Sequence, residues 1–148
     1  MRKIILFAAL ALTVTAAEAQ ILPFLAKRGG PAQPVAVGID AERAEFAATS
    51  GGTTVYFTAG SSVLGAPYKT VLTGQAAWIR RHPDVVVRVE GYGDTGDTRD
   101  HALAVGAHRA EEARDYLVLL GVPAAQVSTT SWGNERSGLG RAVTVLVR

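Results

Sequence analysis

Cysteine is absent from this 148-residue chain. The absence excludes disulfide bonds, thiolate metal sites and a cysteine nucleophile, and it leaves no cysteine that could carry a lipid. Aromatic residues make up only 7% of the sequence, and none of the basic residues form a run interleaved with aromatics. With a formal net charge of only +2, the chain lacks the charge pattern that is typical of nucleic-acid binding.

Long hydrophobic runs are also scarce. The longest, Ile4–Val14, is too short to span a bilayer. Arg2 and Lys3 precede it, and the small-x-small sequence Ala17-Glu18-Ala19 follows it, which is typical of a cleaved secretory signal peptide. We therefore expect residues 1–19 to be removed on export. The mature chain is expected to have no transmembrane segment and to be periplasmic, with association with the outer membrane as an alternative.

Proline and glycine are concentrated in residues 20–43, which contain Pro23, Pro31, Pro34 and the pair Gly29-Gly30. This composition predicts a linker before the folded part of the chain. The following segment, Glu42–Thr49, is compatible with an edge strand or with a short helix. Residues 44–148 are predicted to form one domain, because 48% hydrophobic residues are enough for a single core.

Hydrophobic periodicity divides this domain into strands with period two and helices with apolar spacings of three and four. The predicted elements are strand Thr53–Thr58, helix Pro67–His82, strand Val85–Glu90, helix Asp100–Leu120, strand Val127–Trp132 and strand Ala142–Val147. The order β-α-β-α-β-β predicts an α/β (α+β) fold, a two-layer sandwich with two helices on one face of a mixed sheet. Alternation in the second strand implies that only one side of the sheet is covered.

Asp94 and Arg109 are the candidate binding pair. Asp94 follows the second strand and Arg109 lies about two and a half turns into the next helix, so their side chains can end at similar height. Val105 lies four residues before Arg109 on the same helical face. An acid and a guanidinium in one concave place suit a zwitterion, with the carboxylate on Arg109 and the ammonium on Asp94. The residue types equally allow the two side chains to pair with each other.

Other chemistries receive little support from the motifs. Gly91, Gly93 and Gly96 match the spacing of a dinucleotide loop, but Asp94 would place a negative charge beside the pyrophosphate. Acidic residues recur in the same loop without the ordered spacing of a calcium site or the His pairs of a zinc site. The chain has no Gly-x-Ser-x-Gly and no His-Glu-x-x-His motif. We therefore expect no metal, no cofactor and no enzymatic activity.

Matching stretches extend over about 44–148, and both their order and their spacing agree with one known family. They are Val55-Tyr56-Phe57, Gln75-Ala76-Ala77-Trp78-Ile79, Val89-Glu90-Gly91 with Asp94, Arg109-Ala110, Asp115-Tyr116-Leu117, Ser131-Trp132-Gly133 and Arg141. These stretches resemble the OmpA-like peptidoglycan-binding domain, and within it the peptidoglycan-associated lipoproteins of the Tol–Pal system. The absent cysteine distinguishes this chain from true lipoprotein members.

The resemblance implies noncovalent binding of peptidoglycan in the cell envelope, through the diaminopimelate of the stem peptide. In that family an aspartate after the second strand and an arginine on the following helix hold this group, and they correspond to Asp94 and Arg109. Val105 and Phe57 are expected to form walls of the site, and Arg141 to contribute a further ligand contact. Tol–Pal or other envelope proteins are the implied protein partners.

Several positions depart from the family pattern. Tyr92-Gly93 replaces a His-Thr or His-Ala pair, Asp97 replaces a glycine, and His108 replaces an arginine. The sequence therefore also allows an alternative function, in which a degenerate OmpA-like module binds an envelope protein partner and not peptidoglycan.

Overall fold

The computed structural model describes residues 34–136 and 140–148. The predicted signal peptide and the first part of the predicted linker, residues 20–33, lie outside this range. The prediction was wrong for the rest of the linker, because residues 34–43 belong to helix α1, Pro34–Thr49. Proline is tolerated at the first helical position because its missing N–H has no partner there in any case.

Helix α1 also answers the question that Glu42–Thr49 left open, because this segment is helical. Its Phe46 is 1% exposed and meets Trp78 in an edge-to-face contact with ring centroids 5.1 Å apart. The Trp78 indole N–H donates to Glu45 at 3.3 Å. Since a buried aromatic pair stabilises a contact beyond its area, α1 is part of the folded domain and not a spacer.

Four strands form one mixed sheet in the order β1-β4-β2-β3. They are β1 (Thr54–Tyr56), β2 (Val87–Tyr92), β3 (Val127–Gly133) and β4 (Arg141–Leu146). Strand β4 is antiparallel to both β1 and β2, whereas β2 and β3 are parallel. The predicted strand order along the chain and the mixed sheet are confirmed, although β1 is shorter than expected.

Two further helices, α2 (Ala66–Ile79) and α3 (Arg99–Leu119), match the two that were predicted. Helix α3 packs on β2 and β3, and a short 3₁₀ turn, Ala124–Gln126, leads into β3. Gly121 ends α3 with φ of +91°. The N–H groups of Gly121 and Val122 donate back to the carbonyls of Val118 and Leu117 at 2.9 and 3.1 Å, which is a Schellman cap.

The core lies between the helices and one face of the sheet. Val85, Val87 and Val89 are at most 2% exposed, as the alternation in the second strand predicted. In β4, however, the buried face carries Ala142, Thr144 and Leu146 and leaves the valines half-buried on the other side. Thr144 is accommodated because its hydroxyl donates to the buried Gln75 amide oxygen at 2.6 Å. The face without the core valines is called the open face below.

The closest approach between α3 and the sheet occurs at Gly91 and Gly106. A Cβ atom added to Gly91 would overlap the carbonyl oxygen of Gly106, and one added to Gly106 would reach the Ser131 hydroxyl. Backbone on both sides cannot move aside as a flexible side chain can. The two glycines therefore set the distance between α3 and β2, and with it the position of Arg109 one turn beyond Gly106.

We expect Gly91→Ala to lower the free energy of unfolding by about 3 kcal/mol or more, since overpacking against backbone is costly. Urea unfolding measures this change. Gly38→Ala is the matched control, because nothing lies within 4 Å of the added Cβ and alanine favours a helix over glycine by about 1 kcal/mol. An alanine at position 91 that leaves stability unchanged would show that α3 can move away from the sheet.

Candidate ligand-binding site

The site forms where the end of β2, the β1–α2 loop and the middle of α3 meet. Thr98 caps α3, its hydroxyl accepting from the His101 N–H at 3.4 Å, so the helix begins within one residue of the predicted start. Helical spacing then brings Arg109 back to the end of β2. Its side chain is 0% exposed and its guanidinium contacts Asp94, which is 18% exposed.

Arg109 donates four hydrogen bonds within the protein. Nε donates to the Ser61 carbonyl at 2.9 Å, and Nη1 donates to the Tyr92 carbonyl at 2.8 Å. Nη2 donates to the Thr58 carbonyl at 3.2 Å. Nη2 also donates to Asp94 Oδ2 at 2.9 Å, and Nη1 lies 2.9 Å from Asp94 Oδ1 in the same ion pair. Each of the three guanidinium nitrogens therefore donates at least one hydrogen bond, and the buried charge is paired with a carboxylate.

Asp94 is held from a second side by the β1–α2 loop. The backbone N–H of Gly60 donates to its Oδ2 at 2.6 Å. The hydrogen bond from Arg109 is the main reason that the pKa of Asp94 lies below its ordinary value, with the Gly60 N–H adding to it. The carboxylate is therefore ionised at neutral pH. Because Oδ1 has one protein donor and a carboxylate can accept more, its partly exposed side can accept from a ligand.

The structure thus shows the self-pairing that the sequence allowed, Asp94 with Arg109. Pairing and ligand binding are compatible, because a carboxylate in a bidentate pair keeps acceptor capacity on its outer side. Whether these residues bind a ligand stays a prediction.

The remaining predicted site residues divide into two groups. The Phe57 ring lies beside the pair, with its centroid 5.5 Å from the Arg109 guanidinium carbon, and Val105 is half-buried one turn before Arg109 on α3. Arg141 lies elsewhere, on the open face, with its guanidinium carbon 5.3 Å from the Tyr92 ring. Gly140 lies between Arg141 and the charged pair. Its N–H donates to the Gly93 carbonyl at 2.8 Å, and a Cβ added to it would lie 3.7 Å from Asp94 Oδ1.

A groove of about 210 Å³ opens next to Phe57. Its lining comes from the end of β1, the following loop and the start of α2: Tyr56, Phe57, Thr58, Val63, Gly65 and Tyr68. The sequence pointed to Phe57 alone. The groove and the carbonyl acceptors of Arg109 were missed, because a backbone carbonyl leaves no signal in the residue types.

Comparison with known protein families identifies the family to which the chain belongs. The OmpA family model matches residues 56–141, more than half of the chain, and the match includes both members of the charged pair. The chain belongs to the OmpA family. No helix in 34–136 or 140–148 is both long and apolar enough to cross a membrane.

Similar proteins include peptidoglycan-associated lipoproteins from Brucella melitensis and Agrobacterium fabrum. Each is 39% identical over 85 residues, covering 57% of this chain and 51% and 48% of the relative. The chain therefore spans about half the length of the lipoproteins that it matches. The crystal structure of the peptidoglycan-associated lipoprotein from Burkholderia pseudomallei is similar with a TM-score of 0.62 and 31% identity, covering 65% of this chain and 91% of that one.

We expect the ion pair between Asp94 and Arg109 to stabilise the fold. We expect Asp94→Asn to lower the free energy of unfolding by about 3 kcal/mol at pH 7, because the variant leaves the buried guanidinium without its anion. The lowered pKa of Asp94 means that its charge stabilises the fold above the ordinary value of 3.8. This contribution is lost as the pH falls through the lower folded-state value.

Urea unfolding at pH 7, 4, 3 and 2 measures this dependence. The difference between parent and Asp94→Asn should shrink below about pH 4, the ordinary carboxyl range. Asp84→Asn, an exposed carboxylate elsewhere on the surface, should change stability by no more than about 0.5 kcal/mol. A difference between parent and Asp94→Asn that stays constant down to pH 2 would contradict the assignment.

Proposed function

We propose that this protein binds peptidoglycan noncovalently, by capturing the diaminopimelate of the stem peptide. The observation that best supports this proposal is the ion pair between the buried Arg109 guanidinium and the Asp94 carboxylate, which is 18% exposed. Both residues lie in the segment that matches the OmpA family. The similar proteins are named peptidoglycan-associated lipoproteins, which supports peptidoglycan as the ligand. No step of this function requires catalysis or a cofactor.

In this mechanism the ligand ammonium donates to the outer side of Asp94. The contact needs no rearrangement of the protein, because Arg109 and the Gly60 N–H already hold the carboxylate in place. Preorganisation of this kind reduces the entropy that binding costs. An ammonium against a fixed carboxylate is a charge-assisted hydrogen bond worth about 1.5 to 3 kcal/mol.

The carboxylate of the same stereocentre is assigned to Arg109. Since the Arg109 side chain is 0% exposed, the ligand must replace one present acceptor. The 3.2 Å bond from Nη2 to the Thr58 carbonyl is the longest of its four hydrogen bonds, and Thr58 is exposed. Exchange at Nη2 is therefore the least costly entry for the ligand carboxylate. Phe57, whose ring centroid is 5.5 Å from the guanidinium carbon, and Val105, one turn before Arg109, supply the apolar walls of the proposed site.

The proposed location is the bacterial cell envelope, in the periplasm, after export through the predicted leader. Association with Tol–Pal or other envelope proteins is part of the proposal as well. The relatives described above supply no observation that favours the alternative of a protein-binding module without a wall ligand.

Co-sedimentation of the purified exported domain with insoluble peptidoglycan tests the function. We expect the parent to sediment with a diaminopimelate-type wall and to sediment less with a lysine-type wall, which has the ammonium but lacks the neighbouring carboxylate. Asp94→Asn should weaken binding at least about tenfold, the loss that corresponds to one charge-assisted contact.

Asp97→Asn is the matched control, because it removes a carboxylate from the same loop without touching the pair. It should bind as the parent does. Equal binding by Asp94→Asn would refute the assigned mechanism, whereas a parent that sediments with neither wall would refute the function itself.

A further inference from the structure

A row of aromatic and arginine side chains crosses the open face at the end nearest the candidate site. Tyr56 of β1 pairs with Arg141 of β4, and Tyr92 of β2 pairs with Gly133 at the end of β3. Trp132 faces the same side, since the neighbouring Ser131 hydroxyl donates towards α3. The open face therefore continues from the β1 edge to the β3 edge through aromatic and cationic groups.

Arg136 lies over the Trp132 ring of this row. Its guanidinium carbon is 3.4 Å from the centroid of the Trp132 ring, while the side chain remains exposed. Stacking uses the plane of a guanidinium and leaves the N–H groups along its edge available. Within residues 34–136 and 140–148, no acid pairs with Arg136, and the buried Trp132 indole N–H also has no hydrogen-bond acceptor.

Two acids next to this row, Glu90 and Glu135, already have partners. Glu90 accepts two hydrogen bonds from Arg88, at 3.1 and 2.8 Å, and one from the Tyr92 hydroxyl at 3.2 Å. Glu135 pairs with Arg99. Burial raises the pKa of Tyr92, whereas the positive charges of Arg141 and Arg136 lower it. Both charges therefore lie near the Tyr92 ring. Arg136 therefore brings to this end of the open face a positive charge that no described acid pairs with.

The row is fixed to the loop that carries Asp94. The Gly93 N–H donates to the Gly133 carbonyl at 2.8 Å, and the Asn134 amide donates to the Asp97 carbonyl at 3.0 Å. Arg136 follows two residues after this second contact. A ligand held at Asp94 therefore has the stacked arginine on an adjoining surface whose position is tied to the site.

We propose that Arg136, held over Trp132, forms an anion subsite for a second carboxylate of the stem peptide. The proposal rests on the proposed wall-binding function and extends it: Asp94 and Arg109 take the zwitterionic end of diaminopimelate, and the open-face row takes the α-carboxylate of the neighbouring D-glutamyl residue. A planar fork on an aromatic platform suits a planar carboxylate, because both N–H donors of one edge can reach both oxygens.

Calorimetric titration with two soluble peptides tests this subsite. Both are L-alanyl-γ-D-glutamyl-meso-diaminopimelate with the main-chain carboxyl of diaminopimelate amidated, and they differ in whether the glutamyl α-carboxyl is free or amidated. The proteins are the parent, Arg136→Ala, Arg136→Lys and the control Arg81→Ala, which changes an exposed arginine two residues after the end of α2.

We expect Arg136→Ala to bind the free peptide about tenfold more weakly than the parent does. Amidation should weaken binding to the parent by a similar factor and change binding to Arg136→Ala little, because the two groups form one interaction. Arg136→Lys should recover only part of the loss, since an ammonium keeps the charge without the fork. Arg81→Ala should match the parent.

If the parent binds the free peptide, two results would contradict the subsite without contradicting the proposed function. One is that Arg136→Ala binds the free peptide with the affinity of the parent. The other is that amidation of the peptide lowers the affinity of the parent and of Arg136→Ala by the same factor. Full recovery by Arg136→Lys would overturn the role of the planar fork. A parent that binds neither peptide, together with failure to sediment with the wall, would overturn the proposed function and this subsite together.

Discussion

The buried guanidinium of Arg109 is the constraint on which the rest of the site depends. An arginine that is 0% exposed cannot lose its charge, so every N–H that burial removes from water must find an acceptor within the protein. Those acceptors come from the β1–α2 loop, the end of β2 and Asp94. One side chain thereby fixes three separate segments relative to α3.

This arrangement also explains how the site tolerates changes at its supporting positions. The sequence departs from the family pattern at Tyr92, next to the charged pair. Three of the four hydrogen bonds that Arg109 donates go to main-chain carbonyls, including that of Tyr92 itself. A carbonyl is present whatever the side chain is, so the fork keeps its geometry although the neighbouring residue types differ.

Local periodicity predicted most of the fold. The alternation of Val85, Val87 and Val89 identified a strand and its buried face correctly, and Gly121 marked the end of α3. Helix α1 was missed because Pro34 and Gly38 suggest a linker, while Phe46 is buried by a tryptophan that lies far away in sequence. In β4 the alternating valines gave no indication of which side faces the core, since Thr144 is buried only through its bond to Gln75.

The candidate pair was also identified from the sequence, because helical spacing returns Arg109 to the end of β2. Its degree of burial was not predictable. That property depends on Gly91 and Gly106, which let α3 approach the sheet, and on carbonyls whose directions follow from the backbone path. The stacked Arg136 was likewise invisible, because β3 must first bring Trp132 to the open face.

The position of the last strand in the sheet has a consequence for how the domain assembles. Strand β4 is the final element in the chain, yet it lies between β1 and β2, and its Val143 pairs with Thr54 near the start of the domain. Contacts so distant in sequence close a large loop, which slows folding. Without residues 141–146, β1 has no neighbour in the sheet, so we expect the segments that surround Arg109 to come together late in folding.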